Sequence, residues 1–239
     1  MSQTYSFEEF LKIMRRLRAK DGGCPWDSVQ THKSLRPCLT EETAEFLQSI
    51  RIWEETGDAE NMREELGDLM LQVVLHSLIA EEEKLFTIDD VIREVSEKMI
   101  RRHPHIFGDT KTDSITEIRH NWEDIKKEEK AGKSWIKSPL QEIPKELPSL
   151  DRAKKVVKKA EKIYQLSVED PKDLIQRTGK QLKMLGRAAD SNDREDLEKA
   201  FGDVLWTLSE IAYKTDLSPE MILSDRIASK IAEIDKETQ

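Results

Sequence analysis

Cysteine is nearly absent: the 239 residues include two, Cys24 and Cys38. Neither belongs to a CxxC pair, so neither a disulfide framework nor a zinc site is in prospect, and both read as reduced thiols. Glycine and proline are scarce too, at 9 and 8 residues, which argues against a turn-dense sheet protein and for a helix-rich chain of one or two domains. No run alternates β-branched with polar residues, so no sheet is expected. No window approaches the roughly 18 consecutive apolar residues of a membrane span, and MSQTYSFEEFLKIMRRLRAK lacks the apolar core of a signal peptide. A cytoplasmic protein with no membrane partner is therefore expected. A GxxxxGK[ST] loop is missing, which excludes a P-loop mechanism. Net positive charge is missing as well: the total is −9, so long nucleic acid is not an expected partner, although a local basic pocket for phosphate remains open.

What is present is charge in helical register. Asp, Glu, Lys and Arg make up 36% of the chain, and apolar periodicity places helices near residues 6–20, 39–55, 60–83, 88–102 and 115–130, then 151–166, 172–190, 193–215 and 219–237. A Pro-containing stretch at 134–150 reads as a linker between an N-terminal part, 1–133, and a C-terminal part, 151–239. The parts echo each other: LGDLMLQVV (66–74) and FGDVLWTLS (201–209) align without a gap, which sets Asp68 against Asp203 at a period of 135 residues. That period is too long for a solenoid and marks a duplicated helical domain.

Acids sit where a helix should bury apolar surface. In CLTEETAEFLQSI the apolar stripe is expected to carry Leu39, Phe46, Ile50 and Trp53. At roughly 100° per residue, Glu42 lies about 50° and Glu45 about 110° from the middle of that stripe. On the next predicted helix Glu65 and Asp68 border Met62, Leu69, Val73 and His76. From Val73 to Ile79 this helix is apolar nearly all round, which calls for cover on more than one side, in a bundle or a dimer. Inward ionised acids are costly unless paired with cations or metal. ExxE on one helix and ExxD on the next offer two hard oxygens per helix in register, the donors that Mg²⁺ or Mn²⁺ prefers, with no His or Cys to favour zinc. A ferritin-like di-iron bundle needs Glu-x-x-His on two helices; the sequence has one such match, Glu117 to His120, away from the paired acids.

Other side chains have plainer readings. Lys98, Arg101 and Arg102 share one face of a helix that Pro104 ends, a cluster suited to phosphate oxygens or, alternatively, to the helix dipole. His103 and His105 are expected to make structural hydrogen bonds in the turn, and His76 to be a satisfied core histidine. Trp26 in CPWD is expected to anchor the loop before the first acidic helix.

Glu41-Glu42-Thr43-Ala44-Glu45, nineteen intervening residues and then Glu65-Leu66-Gly67-Asp68 resemble the EExxE…ExxD signature of the MazG family of nucleoside triphosphate pyrophosphohydrolases. GCPWD (23–27), QTHKSL (30–35), EKMIRRHPHIFGD (97–109) and NWEDIKKEEK (121–130) are similar to further blocks of that family in the same order, and the likeness is strongest over 7–165. The resemblance implies an all-α fold of tandem domains with four-helix-bundle-type cores paired across a homodimer. It also implies hydrolysis of a nucleoside triphosphate to a nucleoside monophosphate and pyrophosphate. In that reading Glu42, Glu45, Glu65 and Asp68 hold Mg²⁺ or Mn²⁺, and Glu41 positions or deprotonates the attacking water. Lys98, Arg101 and Arg102 bind phosphates and Trp122 contacts the base. The alternative is a non-catalytic helical protein that senses nucleotides or interacts with a partner.

Of these acids the C-terminal part keeps only Asp203, at the place of Asp68. In the repeat register Lys199 and Ala200 stand at the places of Glu64 and Glu65, and with a short gap Lys180 and Lys183 replace both glutamates of the first helix. DRIASKIAE (225–233) has Arg226 and Lys230 but no arginine pair. Catalysis is therefore expected in the N-terminal half, with the C-terminal half a degenerate, structural domain.

Overall fold

A computed structural model describes residues 4–109, 111–130, 138–191 and 193–238, without the side chains of residues 127 and 130. The described residues contain ten α-helices and no strand. The all-α expectation is met, and the chain divides into two compact units, Met1–Ala131 and Gly132–Gln239. The expected linker at 134–150 falls partly outside the described residues. Its remainder turns against the second unit, where Ile143 is buried and the Lys159 ammonium donates to the Pro139 carbonyl at 2.8 Å.

In the first unit α1 (Phe7–Arg18) opens with a capping box: the Glu9 N–H donates to the Ser6 hydroxyl and the Ser6 N–H to the Glu9 carboxylate. A 3₁₀ turn at Asp27–Val29 follows the Gly-rich loop. That loop needs glycine at position 23, where a Cβ would lie 2.1 Å from the Ala19 carbonyl oxygen. The next helix, α2 (Arg36–Thr56), begins three residues before its expected start, because Pro37 sits in the first turn, where a missing N–H costs nothing. Gly57 ends it at φ +75°, donating its N–H to the Trp53 carbonyl at 2.8 Å. With α3 (Glu60–Glu82) beginning three residues later, α2 and α3 form an antiparallel hairpin. The helices α4 (Ile88–Arg102), the single turn α5 (Pro104–Phe107) and α6 (Ile115–Lys130) complete the unit.

The unit packs around the second half of α3. Val74, Leu75, Leu78 and Ile79 form one buried cluster with Leu11 and Met14 of α1, Leu35 before α2 and Ile88 at the start of α4. The cover demanded by an all-round apolar helix is thus supplied largely within the unit, and Val73 alone of 73–79 stays exposed as an apolar side chain. The face of α2 differs from the expected one. Leu39 and Trp53 are exposed, whereas Ser49 is fully buried and Glu42 half-buried. Phe46 and Ile50 of the expected stripe are half-buried beside Ser49, so the buried face is rotated relative to the expected one and leaves the two ends of the stripe open.

The second unit comprises α7 (Ser149–Tyr164), α8 (Pro171–Ser191), α9 (Arg194–Lys214) and α10 (Pro219–Glu237), with α9 packed on both α8 and α7. Its buried side chains include Val157, Leu174, Val204, Thr207 and Ala212.

Candidate functional site

The hairpin gathers its acids. One carboxylate oxygen each from Glu42, Glu45 and Glu65 lies within 4.8 Å of the others, the one such group of three among the described residues. Two of these side chains come from α2 at i, i+3 and the third from α3, so it is the antiparallel crossing that closes the cluster. Asp68 stands outside the 4.8 Å set, yet of the neighbouring charges it acts most strongly on Glu42. Burial pushes the Glu42 carboxyl above its usual range, followed by repulsion from Asp68 and Glu45, with a smaller push from Glu65. The neighbouring Gln72 side chain works the other way. Asn61 Nδ2 donates to Glu65 Oε1 at 2.8 Å. Glu41 is exposed on α2, beside the cluster in sequence and outside it in space.

The cations form a second group at the end of α4. Arg101 and Arg102 both turn to Glu129 of α6, Arg101 donating to Oε1 through its Nε at 2.8 Å and its terminal nitrogen at 2.7 Å, and Arg102 donating to Oε2 through its Nε at 3.1 Å and a terminal nitrogen. The two guanidinium groups hold the Glu129 carboxyl down at about 2. Trp122, half-buried on α6, carries the Arg102 guanidinium over its ring at 5.0 Å and meets the His103 ring edge-on at 5.1 Å. His103 Nδ1 bonds the Met99 carbonyl at 2.6 Å. Lys98 is half-buried one turn back on α4. The sequence-predicted residues therefore fall into two places, the acids on α2 and α3 and the basic and aromatic residues on α4 and α6.

Two expectations are corrected. His76 is not fully satisfied: its Nδ1 lies 2.7 Å from His32 Nδ1 in a stacked pair, but its buried Nε2 has no partner. Burial and then the His32 charge hold the His76 ring below its ordinary value. Trp26 does not anchor its loop, being exposed. Arg18 does that instead. Nearly buried, it pairs with Glu82 at 2.8 and 2.7 Å and donates to the backbone carbonyls of Asp27 and Gln30 at 2.7 and 3.4 Å. A basic residue in an amphipathic N-terminal helix gives no sequence signal for that role. Gln72 did have one: it follows Asp68 by one turn and Glu65 by two on the same face of α3.

The donor set suits a divalent cation. It is all oxygen, it contains no compensating arginine or lysine among the groups that act on Glu42, and one of its carboxylates, Glu65, is held by a neutral amide. Among the described residues no helix is long and apolar enough to cross a membrane. Fold and site together define an all-α protein whose acidic centre is built on a helical hairpin. Residues 30–107 match the MazG nucleotide pyrophosphohydrolase domain. Over 217 residues the chain is 41% identical to the nucleoside triphosphate pyrophosphohydrolase/pyrophosphatase MazG of Thermotoga maritima, covering 91% of this chain and 79% of that one. It is 35% identical over 218 residues to a nucleoside triphosphate pyrophosphohydrolase of Escherichia coli K12, covering 90% of this chain and 81% of that one. An uncharacterized Bacillus subtilis protein, YabN, is 41% identical over 220 residues, which span 92% of this chain and 44% of that longer one. The chain belongs to the MazG family of nucleoside triphosphate pyrophosphohydrolases.

Proposed function

We propose that the chain hydrolyses nucleoside triphosphates to a nucleoside monophosphate and pyrophosphate, by attack of water at the α phosphate, and that the first unit carries this activity. The observation that carries the reading is the convergence of Glu42, Glu45 and Glu65 within 4.8 Å, with Asp68 acting on Glu42. These four residues would hold Mg²⁺, with Mn²⁺ as a substitute. A bound divalent cation supplies charge neutralisation for the polyphosphate and acidifies water. Glu41, exposed on α2 and next to Glu42 in sequence, would orient or deprotonate the attacking water. Two guanidinium groups that already converge on the single carboxylate of Glu129 can converge equally on a phosphate, and with Lys98 they would oppose the charge of the leaving pyrophosphate. Trp122 would offer the base the part of its ring surface that Arg102 and His103 leave free.

The relatives named for nucleoside triphosphate pyrophosphohydrolase activity support the substrate class. The second unit supports the assignment to the first. Lys180, Lys183 and Asp203 are exposed there, and among its described residues no three acids or histidines come within ligating distance. We read it as a degenerate copy that contributes packing, and the assembled protein as a homodimer. Pyrophosphate release from mixed nucleotides with Mg²⁺ tests the proposal. Release that stops in excess EDTA and in Glu65→Gln is expected; no release from any nucleotide would leave the non-catalytic sensor as the better reading.

A further inference from the structure

Arg101 and Arg102 are consecutive on the last turn of α4, so their side chains leave the helix about 100° apart, yet both guanidinium groups converge on Glu129 in the last turn of α6. Glu129 Oε1 accepts from the Nε and one terminal nitrogen of Arg101, and Oε2 from the same pair of donors on Arg102. One guanidinium fork on each of two oxygens is the arrangement that two free oxygens of a phosphate would take on this pair. Arg102 and Glu129 are 13% and 14% exposed, so the carboxylate covers the fork it occupies. The Arg102 guanidinium has a second support. Its face lies over the Trp122 ring, which His103 meets edge-on while bonding the Met99 carbonyl of α4. A guanidinium held by its face keeps its place when the anion at its edge is exchanged.

We propose that Glu129 is an internal stand-in for phosphate: it closes the Arg101–Arg102 pair in the free protein, and an entering polyphosphate displaces it and takes over both guanidinium forks. The inference rests on reading the two arginines as phosphate-binding residues. Its consequence is selection by charge, because the entering group must replace a carboxylate that already makes four charge-assisted contacts. A polyphosphate brings several charged oxygens to that exchange and a simple monoanion brings one charge. The competing use of Glu129 is as a fixed orienter, with phosphate bound by the N–H groups that the two guanidiniums have left.

Calorimetric binding of inorganic pyrophosphate to the full chain in EDTA separates these cases and keeps the acidic cluster's cation out of the measurement. Glu129→Gln is expected to tighten pyrophosphate about tenfold, because the forks are free in more of the protein. Glu129→Asp keeps the charge and withdraws it by one methylene. It is expected to tighten pyrophosphate about threefold, whereas shortening a fixed orienter would weaken it. In the parent chain, saturating pyrophosphate should speed amide hydrogen exchange over residues 125–130 as the carboxylate is released. Parental or weaker binding in either folded Glu129 variant overturns the inference, as does exchange over 125–130 that slows or stays unchanged in the parent. Arg102→Gln should weaken pyrophosphate about tenfold. Parental affinity in that variant removes the phosphate site itself, a failure of the proposed function rather than of Glu129 alone.

Discussion

Burial together with the facing Asp68 and Glu45 raises the Glu42 carboxyl, whereas Arg102 and Arg101 lower that of Glu129, so two glutamates of one unit should respond to pH in opposite senses. A carboxyl raised on folding lends stability below its unfolded value, about 4.3, and that stability is lost as pH rises through the folded value. Removing the charge that faces Glu42 should therefore help the cation-free protein. Asp68→Asn is expected to abolish pyrophosphate release yet raise the thermal midpoint in EDTA at pH 7.5, with the gain shrinking towards pH 4. Glu129 has the reverse sign: its stabilisation is present above about 4.3 and lost as pH falls towards its folded value of about 2. Glu129→Gln should lower the midpoint at pH 7, and the gap to the parent should close in acid scans between about pH 4 and 2. A parallel offset at all pH values would assign both effects to packing. The acids were legible from spacing alone; Glu129 as the arginines' partner was not, because 27 and 28 residues separate them and helical periodicity carries no information across that span.

Two helical elements hold the site in place, the second half of α3 and the C-terminal end of α1. Leu75 is fully buried against Leu11, Met14, Leu35 and Ile88, so Leu75→Ala is expected to cost about 2–5 kcal/mol in urea denaturation by opening a cavity under the hairpin. Arg18 ties α1 to Glu82 and to the carbonyls of the 3₁₀ turn. Arg18→Met should speed amide hydrogen exchange over residues 24–32, while exchange in α2 past Glu41 stays near the parent rate; unchanged exchange in the turn would deny the anchor. Most helix boundaries were readable because their local signals are strong. Thr87 and Asp90 form a capping box where α4 was expected to begin, and Gly57 adopts the left-handed cap where α2 was expected to end. The buried face of α2 was read only in part: Phe46 and Ile50 are half-buried as expected, but Leu39 and Trp53 are exposed and Ser49 is buried, because hydropathy ranks the more apolar stripe first.

Across the molecule, apolar side chains stand exposed on both helices of the hairpin. Leu39, Leu47 and Trp53 lie open on α2, and Leu66, Met70 and Val73 on α3. Single exposed apolar residues are ordinary; six on one hairpin that also carries the acidic cluster support a subunit contact over this element. Light scattering at micromolar concentration is expected to give twice the chain mass, and Val73→Asp with Met70→Asp to shift it towards one. An active monomeric parent would defeat the homodimer. The two-unit division also frames the assignment of catalysis: Asp203→Asn in the full chain is expected to leave pyrophosphate release within about twofold, and a folded but inactive Asp203→Asn would return the second unit to the site.

The sequence by itself determined the class and the chemistry on offer. Scarce glycine and proline with helical periodicity imposed an all-α chain, and i, i+3 spacing put pairs of hard oxygens on two helices, because both are local properties set within a turn or two. Only the tertiary structure decided which acids meet. The antiparallel crossing of α2 and α3 closes Glu42, Glu45 and Glu65 into one cluster, sets Asp68 to act on Glu42 and leaves Glu41 outside. It likewise decided that Gln72 faces the acids, that Arg18 and not Trp26 anchors the loop, and that Arg101 and Arg102 share Glu129. Contacts of this kind depend on how helices cross and which side chains they bury, and a periodic pattern in one helix does not specify its partner's register.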